Sequence, residues 1–145
     1  PSAAVVPEAA DVEPGELTVS RQLARGAAHV YTECARIWNP IHTDVAFARR
    51  AGLPDIILHG TATMAIAVSA VVDHFAGGDQ TLVRRVSGRF SGMVVLPSEL
   101  VVQMRAVPAS GGSTVVAVEV LAAGGADHAP AVFRRGSVVI GPQVG

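Results

Sequence analysis

Two short stretches of this 145-residue chain hold the side chains best suited to chemistry. One is Asn39-Pro40-Ile41-His42-Thr43-Asp44; the other is His59-Gly60, at the head of a long apolar run. A histidine can serve as acid or base near neutral pH, because its ordinary pKa lies close to 6.5. Asn39 and Pro40 suit a loop that holds such a side chain. Asn hydrogen-bonds to nearby backbone, and Pro drives the residue before it out of the helical conformation. Acid–base work at His42 calls for a carboxylate companion, yet two residues before Asn39 the chain carries Ile37. Glu33 would share a helix face with Ile37, but about 6 Å away along the axis. A plain surface glutamate is the simpler reading.

The elements that must position these residues follow from periodicity and punctuation. Residues 1–15 carry Pro1, Pro7 and Pro14 with little pattern and read as a flexible or extended lead-in to one domain, 16–145. Glu16 to Leu23 alternates Leu17 and Val19 with Thr18 and Ser20, which predicts a strand. Gly26 opens a helix on which Val30, Cys34 and Ile37 recur at helical spacing, and Asn39-Pro40 stops it. Thr43 or Asp44 can cap a short helix that Gly52 closes. From about Ile56 to Phe75 the chain is apolar on every side, which predicts a helix wrapped all round. Strand-like runs follow at 81–90, 93–107, 114–122 and 131–140, separated by Pro97, Gly111-Gly112 and Gly124-Gly125. Pro97 marks a bend or bulge. An α+β fold, one antiparallel sheet curled around one apolar helix, satisfies this order. Its edge strands would be open to a second copy or a similar domain.

Composition narrows the function classes. Eleven basic and twelve acidic residues give a net charge of −1, which argues against nucleic acid as the main partner. The run at 56–72 is interrupted by His59-Gly60, Thr61, Thr63 and Ser69 and is shorter than the ~20 residues of a membrane span. One cysteine, Cys34, excludes an internal disulfide and reads as buried filler. The N-terminus lacks the pattern of a signal peptide, and a cytoplasmic location is expected. No Cys/His cluster has metal-ligand spacing and no Gly-rich phosphate loop follows a strand, so neither a metal nor a nucleotide cofactor is expected.

Residues 31–62, YTECARIWNPIHTDVAFARRAGLPDIILHGTA, resemble the signature of MaoC-like dehydratases, the (R)-specific enoyl-CoA hydratase group of hot-dog proteins. That pattern is an aromatic, S-G-D-x-N-P-x-H-x-D, an A-x-x-A-G helix and P-x-I-x-H-G. Tyr31, Asn39, Pro40, His42, Asp44, Ala51, Gly52, Pro54, Ile57, His59 and Gly60 match it. A weaker likeness extends over most of 16–140. The resemblance implies a hot-dog fold and the reversible hydration of a 2-enoyl-CoA to the 3-hydroxyacyl-CoA, with coenzyme A present only as part of the substrate. It implies His42 as acid/base and the Gly60 N–H as the donor to the thioester oxygen, since a helix N-terminus favours developing negative charge. Helix packing is the plainer reason for Gly60. Asn39 supports the loop, Asp44 caps a helix, and His59 braces the start of the next one. Trp38 lines the acyl or pantetheine path or packs under the loop. Arg49-Arg50, Arg84-Arg85 and Arg134-Arg135 could meet coenzyme A phosphates, though solvated charge on sheet edges and helix faces is the simpler account of each pair. The family's Ser-Gly-Asp stands here as Ala35-Arg36-Ile37, so Ile37 occupies the catalytic aspartate position. Downstream, Pro97-Ser98 replaces a Gly-Asp pair. Two readings follow: a hydratase working without its usual carboxylate, or an acyl-CoA-binding subunit that supports an active partner in a homodimer or heterodimer.

Overall fold

The computed structural model describes residues 15–123 and 129–142. The expected lead-in, apart from Gly15, and the turn at Gly124-Gly125 lie outside them. Strand β1 (Leu17–Leu23) leads to helix α1 (Ala27–Ala35), a 3-10 turn (Pro40–His42), helix α2 (Val45–Arg50) and helix α3 (Gly60–Phe75). Strands β2 (Val83–Phe90), β3 (Ser98–Pro108), β4 (Thr114–Ala123) and β5 (Ala131–Ile140) complete the chain. They form one antiparallel sheet in the order β1-β3-β4-β5-β2, so β1 and β2 are its edges. Alternation on β3 and β4 supplies the inner face: Leu100, Val102 and Met104 beside Val116, Val118 and Val120, all buried against Ala67, Ala70 and Val71 of α3. Each such valine or leucine contributes about 1.5–3 kcal/mol by leaving water.

Three sequence expectations change. The helix expected from about Ile56 begins at Gly60; Ile56, Ile57 and Leu58 are extended and buried. Leu58 N–H donates to the Val94 carbonyl (2.8 Å) and Leu96 N–H to the Ile56 carbonyl (3.0 Å). Residues 94–96 thus pair with this segment instead of extending β3, which starts only after Pro97. A buried backbone must find partners, and the two apolar segments supply each other's. Second, α3 is not enclosed on every side within this chain: Thr61, Ala65, Ser69 and Asp73, four residues apart, form an exposed row. Third, α1 ends at Ala35 and buries Ala28 and Thr32, while Val30, Cys34 and Ile37 face outward. Cys34 is therefore exposed, not filler. Small side chains on the opposite face let α1 lie close against the core.

Phe133 accounts for two glycines on neighbouring strands. A Cβ on Gly88 would fall 2.1 Å from its ring and one on Gly136 2.5 Å, the latter also 2.6 Å from the Val118 carbonyl. Register shifts in β2 and β4 mark this crowded corner. Arg135 takes up a left-handed conformation there (φ 50°).

A candidate acyl-thioester site at the start of helix α3

The loop before α2 is held by its own sequence. Asn39 Oδ1 accepts from Ile41 N–H (3.3 Å), and Pro40 fills the first position of the 3-10 turn. Asp44 Oδ1 accepts from Phe47 N–H (2.9 Å), which makes it the N-cap of α2. His29, a residue that pattern alone did not single out, adds a clasp from α1 through its Nε2 to the Thr43 carbonyl (3.0 Å). Across the loop, Ile57 N–H donates to the Ile41 carbonyl (3.2 Å) and His42 Nδ1 donates to the Ile57 carbonyl (2.8 Å). A carbonyl only accepts, so that bond sets the His42 tautomer and leaves Nε2 as its basic nitrogen. His42 is 9% exposed, and its Nε2 has no hydrogen-bond partner among the described residues.

His59 lies directly against it. The two imidazoles stack with centroids 3.6 Å apart and planes 21° from parallel. Tyr31 packs on the other side of His59 at 4.9 Å. His59 Nε2 is 3.2 Å from the Ile37 carbonyl and 3.3 Å from Thr32 Oγ1, while its Nδ1 is buried without a partner among the described residues. Burial holds the His59 pKa below its ordinary 6.5; the Ile37 carbonyl opposes this and His42 adds to it. Tyr31 matches the aromatic of the family pattern, but neither it nor Thr32 could have been found in the sequence as a partner of His59.

Gly60 begins α3 beside this pair. No side chain caps the helix, and its first backbone bonds run from Ala62 and Thr63 to the His59 carbonyl. Gly60 and Thr61 N–H thus have no acceptor among the described residues. The missing Cβ has a packing cause: one on Gly60 would sit 3.3 Å from the Phe90 ring. The exposed large apolar side chains gather here too. Ile37 (42% exposed) and Trp38 (66%) lie on the loop whose carbonyl holds His59, Phe90 lies over Gly60, and Met93 precedes the Val94 that pairs with Leu58. Trp38 is not packed under the loop.

The structure does not bring a carboxylate to His42. Among the described residues no Asp or Glu oxygen comes within 4.0 Å of either histidine ring. Glu33 is exposed on α1. The arginine pairs sit on three different elements: Arg49-Arg50 on α2, Arg84-Arg85 on β2 and Arg134-Arg135 on β5, all exposed. Among the described residues no group of three His, Cys, Asp or Glu could hold a metal ion. No helix among the described residues is long and apolar enough to cross a membrane.

An antiparallel sheet packed on one apolar helix, with a histidine loop at the head of that helix, defines a hot-dog domain. Solved structures agree on this: the MaoC-like dehydratase from Phytophthora capsici matches 99% of this chain and 46% of its own, with a TM-score of 0.78 and 22% identity. The (R)-hydratase from A. caviae matches 92% of this chain and 99% of its own, with a TM-score of 0.74 and 18% identity. The family model of the MaoC like domain matches residues 11–124, more than half of the sequence, and the chain belongs to that family. Among sequence relatives, the peroxisomal enoyl-CoA hydratase 2 of Arabidopsis thaliana is 34% identical over 88 residues, 61% of this chain and 28% of that enzyme. This chain thus spans less than a third of that relative's length.

Proposed function

We propose that this domain binds a 2-enoyl-CoA in the apolar cleft at the start of α3 and catalyses its reversible hydration to the 3-hydroxyacyl-CoA. One observation carries the reading. His42 is pinned at Nδ1, which leaves a basic Nε2 unpartnered among the described residues, on a ring stacked against His59, the residue before the uncapped N–H groups of Gly60 and Thr61. As water adds to the β-carbon, Nε2 takes its proton. The thioester oxygen gains charge against the Gly60 N–H, where the helix dipole favours it. The imidazolium then returns the proton to the α-carbon, so a single base closes the proton balance. Ile37, Trp38, Phe90 and Met93 supply the apolar walls for the acyl and pantetheine chains. Asn39 and Asp44 hold the loop, and no metal or separate cofactor takes part. A cytoplasmic enzyme, working as a homodimer or beside a homologous subunit, completes the reading.

A second reading rests on Ile37. With no carboxylate within 4.0 Å of His42 among the described residues, the domain would bind acyl-CoA and complete an active partner. Following loss of the conjugated thioester absorbance of crotonyl-CoA and longer trans-2-enoyl-CoAs separates the two. Turnover lost in His42→Ala supports the hydratase, and Ile37→Asp should raise it by about 100-fold, within the usual worth of acid–base catalysis. An inactive parent chain that binds acyl-CoA and gains turnover with Ile37→Asp would establish the binding subunit instead.

A further inference from the structure

His59 is a buried titratable side chain that the proposed chemistry leaves idle. It is 3% exposed and lies flat on the base, with ring centroids 3.6 Å apart. Its tautomer follows from its surroundings. The Ile37 carbonyl at 3.2 Å only accepts, so His59 Nε2 carries the hydrogen and Nδ1 keeps a bare lone pair. His42 is pinned in the opposite sense, with its hydrogen on Nδ1. The result is two rings stacked face to face, each tied to a backbone carbonyl through one nitrogen.

Among the described residues no carboxylate lies within 4.0 Å of a nitrogen of either ring to hold a second positive charge. From α1 it meets the Tyr31 ring and the Thr32 hydroxyl, and from the following loop the Ile37 carbonyl. The first turn of α3 contains no acid. The carboxylate of Asp44 is taken by Phe47 N–H and that of Asp55 by Arg25. Arg36 and His29, the nearest basic residues along α1, add no negative charge. A proton on His59 Nδ1 would be a buried, unpaired charge a stacking distance from the base, which burial disfavours.

We propose that His59 is a positioning residue for His42: a ring that stays neutral while His42 works, keeps the base flat with Nε2 free, and prevents the stacked pair from carrying two protons at once. The proposal rests on His42 being the base of the hydration. It gives position 37 a main-chain role in spite of its altered side chain, because the Ile37 carbonyl sets the His59 tautomer. The imidazolium that forms during turnover then lies on the π face of a neutral ring, an arrangement that favours a cation. Burial and the neighbouring His42 both act in this direction on His59.

Long-range 15N–1H spectra of the histidine side chains, taken on the whole chain from about pH 5 to 8, read the tautomer and charge of each ring directly. The expected result is His59 neutral with hydrogen on Nε2 throughout. In His42→Gln the His59 midpoint moves upward, as expected for a coupled pair relieved of its partner. In hydration assays His59→Phe lowers kcat by roughly tenfold with KM little changed, through misplacement of the base. His59→Gln, whose amide can still donate to the Ile37 carbonyl, recovers part of that loss. A His59 hydrogen on Nδ1, both rings charged together, or an unmoved His59 midpoint in His42→Gln overturns the proposal. If the parent chain hydrates no enoyl-CoA while the spectra come out as expected, the hydratase reading fails and the one-proton stack stands.

Discussion

At position 36 the backbone turns into the left-handed region, φ 56° and ψ 39°, to end α1, and the Ile37 N–H returns to the Thr32 carbonyl at 3.3 Å. That conformation suits glycine, which is what the resembling family pattern carries there, and it strains arginine through its Cβ by about 1–2 kcal/mol. Glycine gives back part of this through the entropy of the unfolded chain. Arg36→Gly is therefore expected to stabilise the fold by about 0.5–1 kcal/mol, measured by urea denaturation. Asp44→Ala should act in the other direction. It removes the acceptor for Phe47 N–H and costs about 1 kcal/mol, the usual worth of an N-cap, with a smaller drop expected for Asp44→Asn. His42, in contrast, is defined at this scale by what it does not touch: its free Nε2 is the group whose loss in His42→Ala should end turnover.

Between elements, the site depends on a short antiparallel pairing that periodicity did not reveal. Residues 56–58 and 94–96 satisfy one another's backbone groups, and the Ile57 carbonyl left over on the far side receives His42. Arg25 and Asp55 fasten this assembly to the end of β1 by two contacts of 2.7 Å. Next to Phe90, the Phe133 ring occupies the space over Gly88 and Gly136. Gly136→Ala must push that ring away and meets the Val118 carbonyl as well, so a loss of about 1–3 kcal/mol is expected from denaturant unfolding. Phe133→Leu combined with Gly136→Ala should recover part of it, since the flexible side chain vacates the site.

For the molecule as a whole, one imidazole and two carboxyl groups set the acid side of the stability curve: His59, Asp55, and Asp79, which the Thr81 hydroxyl and N–H hold below 3.8. His59 has a folded pKa depressed below 6.5 by burial. The unfolded chain therefore binds its proton first, so the stabilisation is complete above 6.5 and drains away as pH falls from there toward the folded-state value. Asp55 is held below 3.8 by the Ile56 N–H and then by Arg25, against opposing desolvation, so its contribution persists above that value and disappears as pH falls through the folded one. Urea midpoints measured between about pH 3 and 8 should thus decline in two acid stages, with the upper one missing in His59→Gln. Association belongs to this scale too. Val30, Ile37 and Trp38 form an exposed apolar row along α1 and its following loop, and β1 and β2 end the sheet with open edges. Sedimentation of the isolated chain is expected to give twice the monomer mass, falling toward the monomer in Val30→Asp.

The sequence by itself determined the kinds and order of the elements, the Asn-Pro loop and the α2 cap, because each of these depends on residues within a few positions of one another. It also pointed to the MaoC-like family through NPIHTD and HG, and to the isoleucine where that pattern has an acid. Only the tertiary structure decided that Ile56–Leu58 is extended, that α1 turns Ala28 and Thr32 inward while Val30 and Cys34 face out, and that Gly60 is small to admit Phe90. It alone stacked His42 on His59, seventeen positions apart in the chain, and aimed their free nitrogens by the carbonyls of Ile57 and Ile37. Periodicity reports which residues share a face; it does not report which distant carbonyl a side chain will meet, and those meetings choose the tautomers on which the chemistry of this site depends.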